Sequence, residues 1–445
     1  MPDAAAESSG RRLWRHLREA GVGAVVGSIL PGVPVVPVAD PAVAALLARA
    51  HERIRHSLAA RSADGALEFG DVPPRPRVVS GPAELRAAVA GAVADVAAGV
   101  GCRLELAFDL TGPAGPLECL ALPSAGDAVP DVDSWRERLD AARNPVVLAG
   151  PGVVNARAVP SLHAFATAGG LGVLNTWGAK GVFPWQSAHH WATVGLQRDD
   201  FRLGGLADTD LIVAVGVDPD ESPGHRWRLA ENIEVPPAAL GELARRWRAS
   251  GGVAEMPPLR ERLAAVTQRG WELSSGPLPP SRVTRTYGTV VASRGGLVAA
   301  DAGTAGYWVA RTLGTTLLDS VVVPARAEGE GFAVAAALAA RLAAPARPVL
   351  AVTDAPLGPH GRALLALGER LGLPVPVEVW DADGPRLDAE AHAARLAEAV
   401  YGDGPAVLPL ATDPHQLAEM LEAAGPVVAW TWRHESARRT AATVR

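Results

Sequence analysis

Short apolar runs alternate with longer amphipathic runs along almost the whole chain, and this alternation leaves few folds open. Ala24–Leu30, Arg103–Phe108, Pro145–Ala149, Gly172–Leu174, Leu211–Val217, Gly296–Ala300, Val321–Pro324, Val349–Thr353 and Val375–Trp380 read as strands. Pro41–Ala59, Glu84–Ala98 and Ala158–Ala168 carry apolar residues at helical spacing between them. Strands apolar on both faces and separated by helices are the signature of βαβ units and parallel sheets covered on both sides. Gly112–Ser134 and Pro257–Arg282 are rich in turn-forming residues or end in them, and they divide the chain into three. The expected fold is α/β, with three doubly wound parallel-sheet domains at 1–130, 131–255 and 256–445.

The 445 residues are 48% hydrophobic and 20% charged, with a net charge of −6. That composition supports several packed cores and excludes a disordered chain. An acidic chain lacks the basic face that nucleic-acid binding requires, so no nucleic-acid partner is expected. The most apolar stretch, Phe332–Val352, is broken by Arg341, Pro345 and Arg347 and reads as a buried helix followed by a strand, not a membrane span. The opening MPDAAAESSGRRLW has no apolar run behind its arginines and does not read as a secretory signal. Cys102 and Cys119 form no metal-ligand pair and no disulfide framework, which suits a reduced, cytoplasmic protein.

Of 42 basic residues, Lys180 alone is lysine. Arginine and lysine differ in shape and hydration, so a single retained lysine reads either as a place where a guanidinium does not fit or as a chance survivor in an arginine-rich sequence.

The middle segment gives the sequence its family likeness. Val146–Gly152 is a strand running into a glycine turn; Asn175-Thr176-Trp177 and Lys180-Gly181-Val182-Phe183-Pro184 follow, then Gly195, then Ala207-Asp208-Thr209-Asp210-Leu211-Ile212 running into Gly216. In order and spacing this resembles the central domain of thiamine-diphosphate (ThDP) enzymes of the acetolactate-synthase type, over about a quarter of the chain. The flanks resemble the same family. Trp14–Gly27 matches its opening helix and strand. Gly296–Gly303, Gly331–Leu342, Pro348–Asp354, Leu371–Trp380 and Gly404–Pro409 match its diphosphate-binding domain. The N-terminal, pyrimidine-binding domain is shortened: after the Pro41–Ala60 helix the chain passes almost at once to Val78–Ala98.

The resemblance implies C–C bond cleavage or ligation on a small 2-oxo acid, with ThDP and Mg²⁺ as cofactors. It implies a homo-oligomer, with a partner protein able to complete the N-terminal domain. It places the metal on Asp354 together with Asp381 or Asp383, 27 residues further on. It places the diphosphate near Gly303, Thr304, Glu330, Gly331, Thr353 and Ala355. Asp40 takes the position of the acid that works on the pyrimidine, with Glu52 as the alternative, and Lys180 meets an anionic substrate near the mouth of the site. The chain departs from the family at several of these positions. The Gly-Asp-Gly turn has become Thr353-Asp354-Ala355-Pro356, a charge stands in Gly329-Glu330-Gly331 where a bulky apolar side chain is expected, and Asp replaces Glu at position 40. These departures raise a second possibility, a cofactor-less descendant acting as a binding or assembly subunit.

Other motifs carry less. His51 and His56 are five apart, about 140° around a helix, which is the wrong spacing for a zinc pair. His189-His190 reads as a surface loop. Gly150-Pro151-Gly152 with Asn155 is half a dinucleotide fingerprint, and in this family the resemblance allows FAD or another nucleotide in the central domain. Gly402-Asp403-Gly404 precedes a strand and reads as a turn. The tryptophans are scattered and suit core or interface use.

Overall fold

The computed structural model describes residues 7–70, 74–114, 132–249, 255–327, 330–402, 404 and 406–430. Asp403, Gly329, Cys119 and Trp432 lie outside them. The chain forms two compact units, residues 1–128 and 129–445.

In the first unit, helix α1 (Ser9–Glu19) leads into β1 (Val22–Gly27) and β2 (Val36–Pro37). Helix α2 (Pro41–Arg55) starts where Asp40 accepts hydrogen bonds from the Ala42 and Val43 N–H groups, with Pro41 in the first turn. Then come β3 (Leu58–Ala63), β4 (Ala66–Phe69), β5 (Arg75–Val79), α3 (Leu85–Ala97) and β6 (Cys102–Leu106). The sheet order is β2-β1-β3-β4-β6-β5. This sheet is mixed: β4 runs antiparallel to both β3 and β6. The cause is local. Asp64 and Gly65 both take positive φ, 50° and 76°, and close a two-residue hairpin between β3 and β4. The N-terminal segment thus builds a six-stranded sheet that includes a hairpin.

The second unit holds two sheets. The first is built from α4 (Val132–Ala141), β7 (Pro145–Ala149), α5 (Gly152–Asn155), α6 (Val159–Gly169), β8 (Gly172–Thr176), β9 (His190–Val194), β10 (Leu211–Val215), α7 (Gly224–Trp227), β11 (Asn232–Glu234) and α8 (Leu240–Arg246). Its order is β11-β10-β7-β8-β9, with every pairing parallel. Helix α9 (Pro258–Glu272) leads to the last sheet, made with α10 (Pro280–Val290), β12 (Leu297–Ala300), α11 (Thr304–Thr312), β13 (Val321–Val322), α12 (Phe332–Ala343), β14 (Val349–Thr353), α13 (Pro359–Arg370), β15 (Val377–Trp380), α14 (Ala389–Tyr401), β16 (Val407–Leu410) and α15 (Gln416–Ala424). Its order is β13-β12-β14-β15-β16, again all parallel.

These two sheets belong to one unit because side chains of the middle segment lie in the core of the last. Trp177 and Leu196 pack with Val298, Trp308 and Val352. Gln197 donates to the carbonyls of Met420 and Gly425 at 2.7 and 2.6 Å and accepts from the Tyr307 hydroxyl at 2.9 Å. Each fully buried large apolar side chain contributes about 1.5–3 kcal/mol. No helix among the described residues is long and apolar enough to cross a membrane.

Candidate functional site

In a parallel sheet, strands end and crossover helices begin along one edge, and helix N-termini attract anions there. At this edge of the last sheet, α11, α12 and α13 each start after a glycine: Gly303, Gly331 and Gly358. None of these N-cap residues has a side chain to cap its helix. In each case a carboxylate from elsewhere in the chain does so. Asp354, beyond the end of β14, accepts from the N–H groups of Thr304 and Ala305 at the start of α11. Asp301, beyond β12, accepts from Ala333 N–H at 2.7 Å and Gly331 N–H at 3.4 Å at the start of α12. Glu330 accepts from His360 N–H at 3.3 Å at the start of α13. Burial pushes the Asp301 carboxyl above the usual carboxylate range, against the hydrogen bonds that favour its charge.

The carboxylates also fill the space the glycines leave. A Cβ on Gly303 would stand 2.9 Å from an Asp354 oxygen, and one on Gly358 would fall inside the Glu330 carboxylate. Gly303, Thr304, Glu330, Gly331, Thr353, Asp354 and Ala355 lie along one edge of this sheet. What they assemble is a set of internally neutralised helix ends. Asp381 and Asp383 sit one strand further along, exposed, with Asp381 accepting from the Asp383 N–H at 3.0 Å in a turn of their own. Asp354 is instead turned to α11, on the β12 side. Among the described residues no group of three or more His, Cys, Asp or Glu is placed to hold a metal ion. A diphosphate at this edge would meet three carboxylates where it needs free N–H donors. The residues present do not fit a metal-bound diphosphate.

Asp40 lies in the other unit and is engaged as the cap of α2. Glu52 accepts from Ala59 N–H at 3.0 Å and ties α2 to β3. The half-fingerprint at Gly150-Pro151-Gly152 has a packing role. Gly152 N–H donates to the Gly216 carbonyl at 2.9 Å, and a Cβ on Gly152 would stand 2.6 Å from Gly216 Cα. These glycines let the chain just past β7 and β10 pack in backbone contact.

Lys180 stands apart from the capped edge. It lines a cavity of about 120 Å³ together with Trp185, His190, Arg260, Trp271 and Arg311. Arg311 is near the C-terminal end of α11, whereas Asp354 caps its N-terminal end. Nine helical residues span ~13 Å, so one ligand of substrate size does not bridge the two. Lys180, expected from the sequence to meet an anionic substrate, thus lies at the other end of α11 from the capped helix starts. His189-His190 is also not a plain surface loop: both residues are half-buried, and His190 opens β9 and faces the cavity. Arg260 braces that loop, donating to the carbonyls of His190 at 2.6 Å and Trp185 at 2.8 Å. Arg311 is fully buried and bidentate on Asp200 at 2.8 and 2.7 Å. Lys180 is 9% exposed. Desolvation, helped by the Arg311 charge, lowers its pKa to about 7. Desolvation, then the charges of Lys180 and Arg260, lowers His190 to about 3, so His190 is neutral.

Asp301 is the site residue that sequence reasoning missed. Its signal was its place directly after β12. Arg311 and Asp200 carried no local signal, since their pairing joins positions 111 residues apart.

Comparison with known proteins agrees with this architecture. Residues 132–240 match the family of the thiamine pyrophosphate enzyme central domain. The acetolactate synthase large subunit of Corynebacterium glutamicum is 36% identical over 75 residues, which is 17% of this chain and 12% of that protein. Most of that relative's length is therefore unmatched. An X-ray structure of a Mycobacterium smegmatis protein, described as a thiamin diphosphate-dependent enzyme, superposes with a TM-score of 0.66 at 15% identity. The match covers 92% of this chain and 100% of that one, and at this identity it speaks for the fold alone.

Proposed function

Because this chain is a protein of the thiamine-diphosphate-dependent enzyme family by its central domain, we propose that it serves 2-oxo-acid carbon–carbon chemistry of the acetolactate-synthase type as a binding or assembly subunit. In this reading it is not a self-contained cofactor-loaded enzyme. The observation that carries the reading is the capping of α11, α12 and α13 by Asp354, Asp301 and Glu330. ThDP with Mg²⁺ is the cofactor the family implies, and its diphosphate requires the N–H groups these carboxylates hold. Completion by further copies or by a partner chain supplies what the edge of this chain lacks.

A second reading keeps the chain as a lyase or carboligase in its own right. It is favoured by Asp354, an aspartate retained just past a strand end where the family holds its metal. Calorimetric titration of the full chain with ThDP and MgCl₂, repeated on Asp354→Ala, separates the two. Absence of saturable heat and of any rise in melting temperature is the expected result. Saturable binding that Asp354→Ala abolishes would overturn the subunit reading and establish the enzyme.

A further inference from the structure

We propose that Lys180 is a carbamylation site: its amine, in the cavity it lines with His190, Arg260 and Arg311, takes up carbon dioxide and is held as a carbamate. The modification is one of the chain itself and uses none of the residues at the capped helix starts.

The surroundings of the amine favour the reaction. Lys180 is more than nine-tenths buried, and among the described residues its amine makes no hydrogen bond and no ion pair. A buried ammonium without a counter-ion is costly, so burial drives the group toward its neutral form. Burial first, then the Arg311 charge, brings its pKa to about 7, and a large share of molecules carries the free base at neutral pH. An ordinary lysine holds well under about one part in a thousand as free base there. The difference matters because the lone pair of the neutral amine is the nucleophile, and the ammonium has none.

The cavity also favours the product. No Asp or Glu lines it. The charged and titratable groups facing Lys180 are Arg311 with its partner Asp200, His190 and Arg260. Arg311 is already paired with Asp200 through two hydrogen bonds. His190 titrates at about 3 and is neutral. Arg260 donates to the carbonyls of His190 and Trp185 and, among the described residues, meets no acidic side chain. A carbamate supplies the counter-charge that this guanidinium lacks. Trp185, Leu263, Trp271 and Leu313 complete the lining, and such a lining admits uncharged CO₂ more readily than bicarbonate. The volume, about 120 Å³, has room for roughly four waters at ~30 Å³ each, which is more than a three-atom guest needs.

The step balances without an oxidant or reductant. The Nζ lone pair forms an N–C bond to the carbon of CO₂. The electron pair of one C=O π bond moves onto oxygen, and an N–H proton leaves to water. The side chain passes from neutral to a single negative charge, and added acid reverses the reaction.

The test is ¹³C NMR of the full chain in ¹³C-bicarbonate at pH 8 and pH 6. With Lys180 as the single lysine, the α-amino group is the other primary amine able to form a carbamate. Two carbamate resonances are expected at pH 8, and Lys180→Met should remove one of them. That resonance should weaken by roughly tenfold or more at pH 6, where the amine is protonated and the proton released on reaction is returned. A second measurement needs no variant. Trapping the parent protein with triethyloxonium ion, which alkylates a carbamate oxygen, should leave an ethyl carbamate on the peptide that holds Lys180. A single resonance in the parent, two resonances retained in Lys180→Met, or an ethyl carbamate confined to the N-terminal peptide would each overturn the proposal.

Discussion

At the residue scale, the cavity wall couples stability to pH. His190 titrates at about 3 in the folded protein and near 6.5 when unfolded. Between those values the unfolded chain binds more protons than the folded one, so stability falls as pH drops through that window and is complete above it. His51, lowered to about 4 by burial, adds to the same slope. Lys180 acts on the other side: unfolded it titrates near 10.5 and folded at about 7, so it makes stability rise between those limits. Urea unfolding of His190→Gln at pH 4 and pH 7 should show a smaller loss on acidification than the parent. An equal loss in both proteins would place the acid sensitivity elsewhere. None of this was readable from two adjacent histidines in a sequence. Their burial depends on Arg260 bracing the loop from a helix some 70 positions away.

At the element scale, each helix start along the last sheet depends on a carboxylate remote in sequence. Asp354 is 50 positions from Thr304, the residue it caps. Loss of a helix cap costs about 1 kcal/mol. Asp354→Ala should therefore lower the melting temperature by roughly 2–4 °C, and Asp354→Asn, which keeps an acceptor, by less. A differential scanning calorimetry series reads this directly, and equal losses in the two variants would deny the cap its role. The elements themselves were largely legible. Strands β7, β10, β12 and β14 announce themselves by valine- and leucine-rich runs buried on both faces. The hairpin β3–β4 did not, because LAARSADGALEF has no β-branched residue and little alternation. The capping pattern was illegible for a different reason. Sequence places an aspartate after a strand but not the direction in which it turns. Asp354 reaches toward β12's helix and leaves Asp381 to its own turn.

At the scale of the whole molecule, the chain resolves into two units with separate cores. Leu13, Val25, Phe69 and Leu104 pack within residues 1–128. Val147, Phe165 and Val213 pack within 129–445, as do Val298, Trp308 and Val352. The buried Arg311–Asp200 pair and the Gln197 hydrogen bonds join the middle and last sheets within the second unit. A fragment beginning at residue 129 should then unfold in a single cooperative thermal transition. Two separated transitions within that fragment would mean that its sheets melt independently.

The solitary lysine has a practical consequence. Apart from the α-amino group, the chain carries one primary amine, and that amine is largely buried, with burial lowering its pKa to about 7. A covalent tag placed there by ordinary amine chemistry would report occupancy of the cavity around it from a single address.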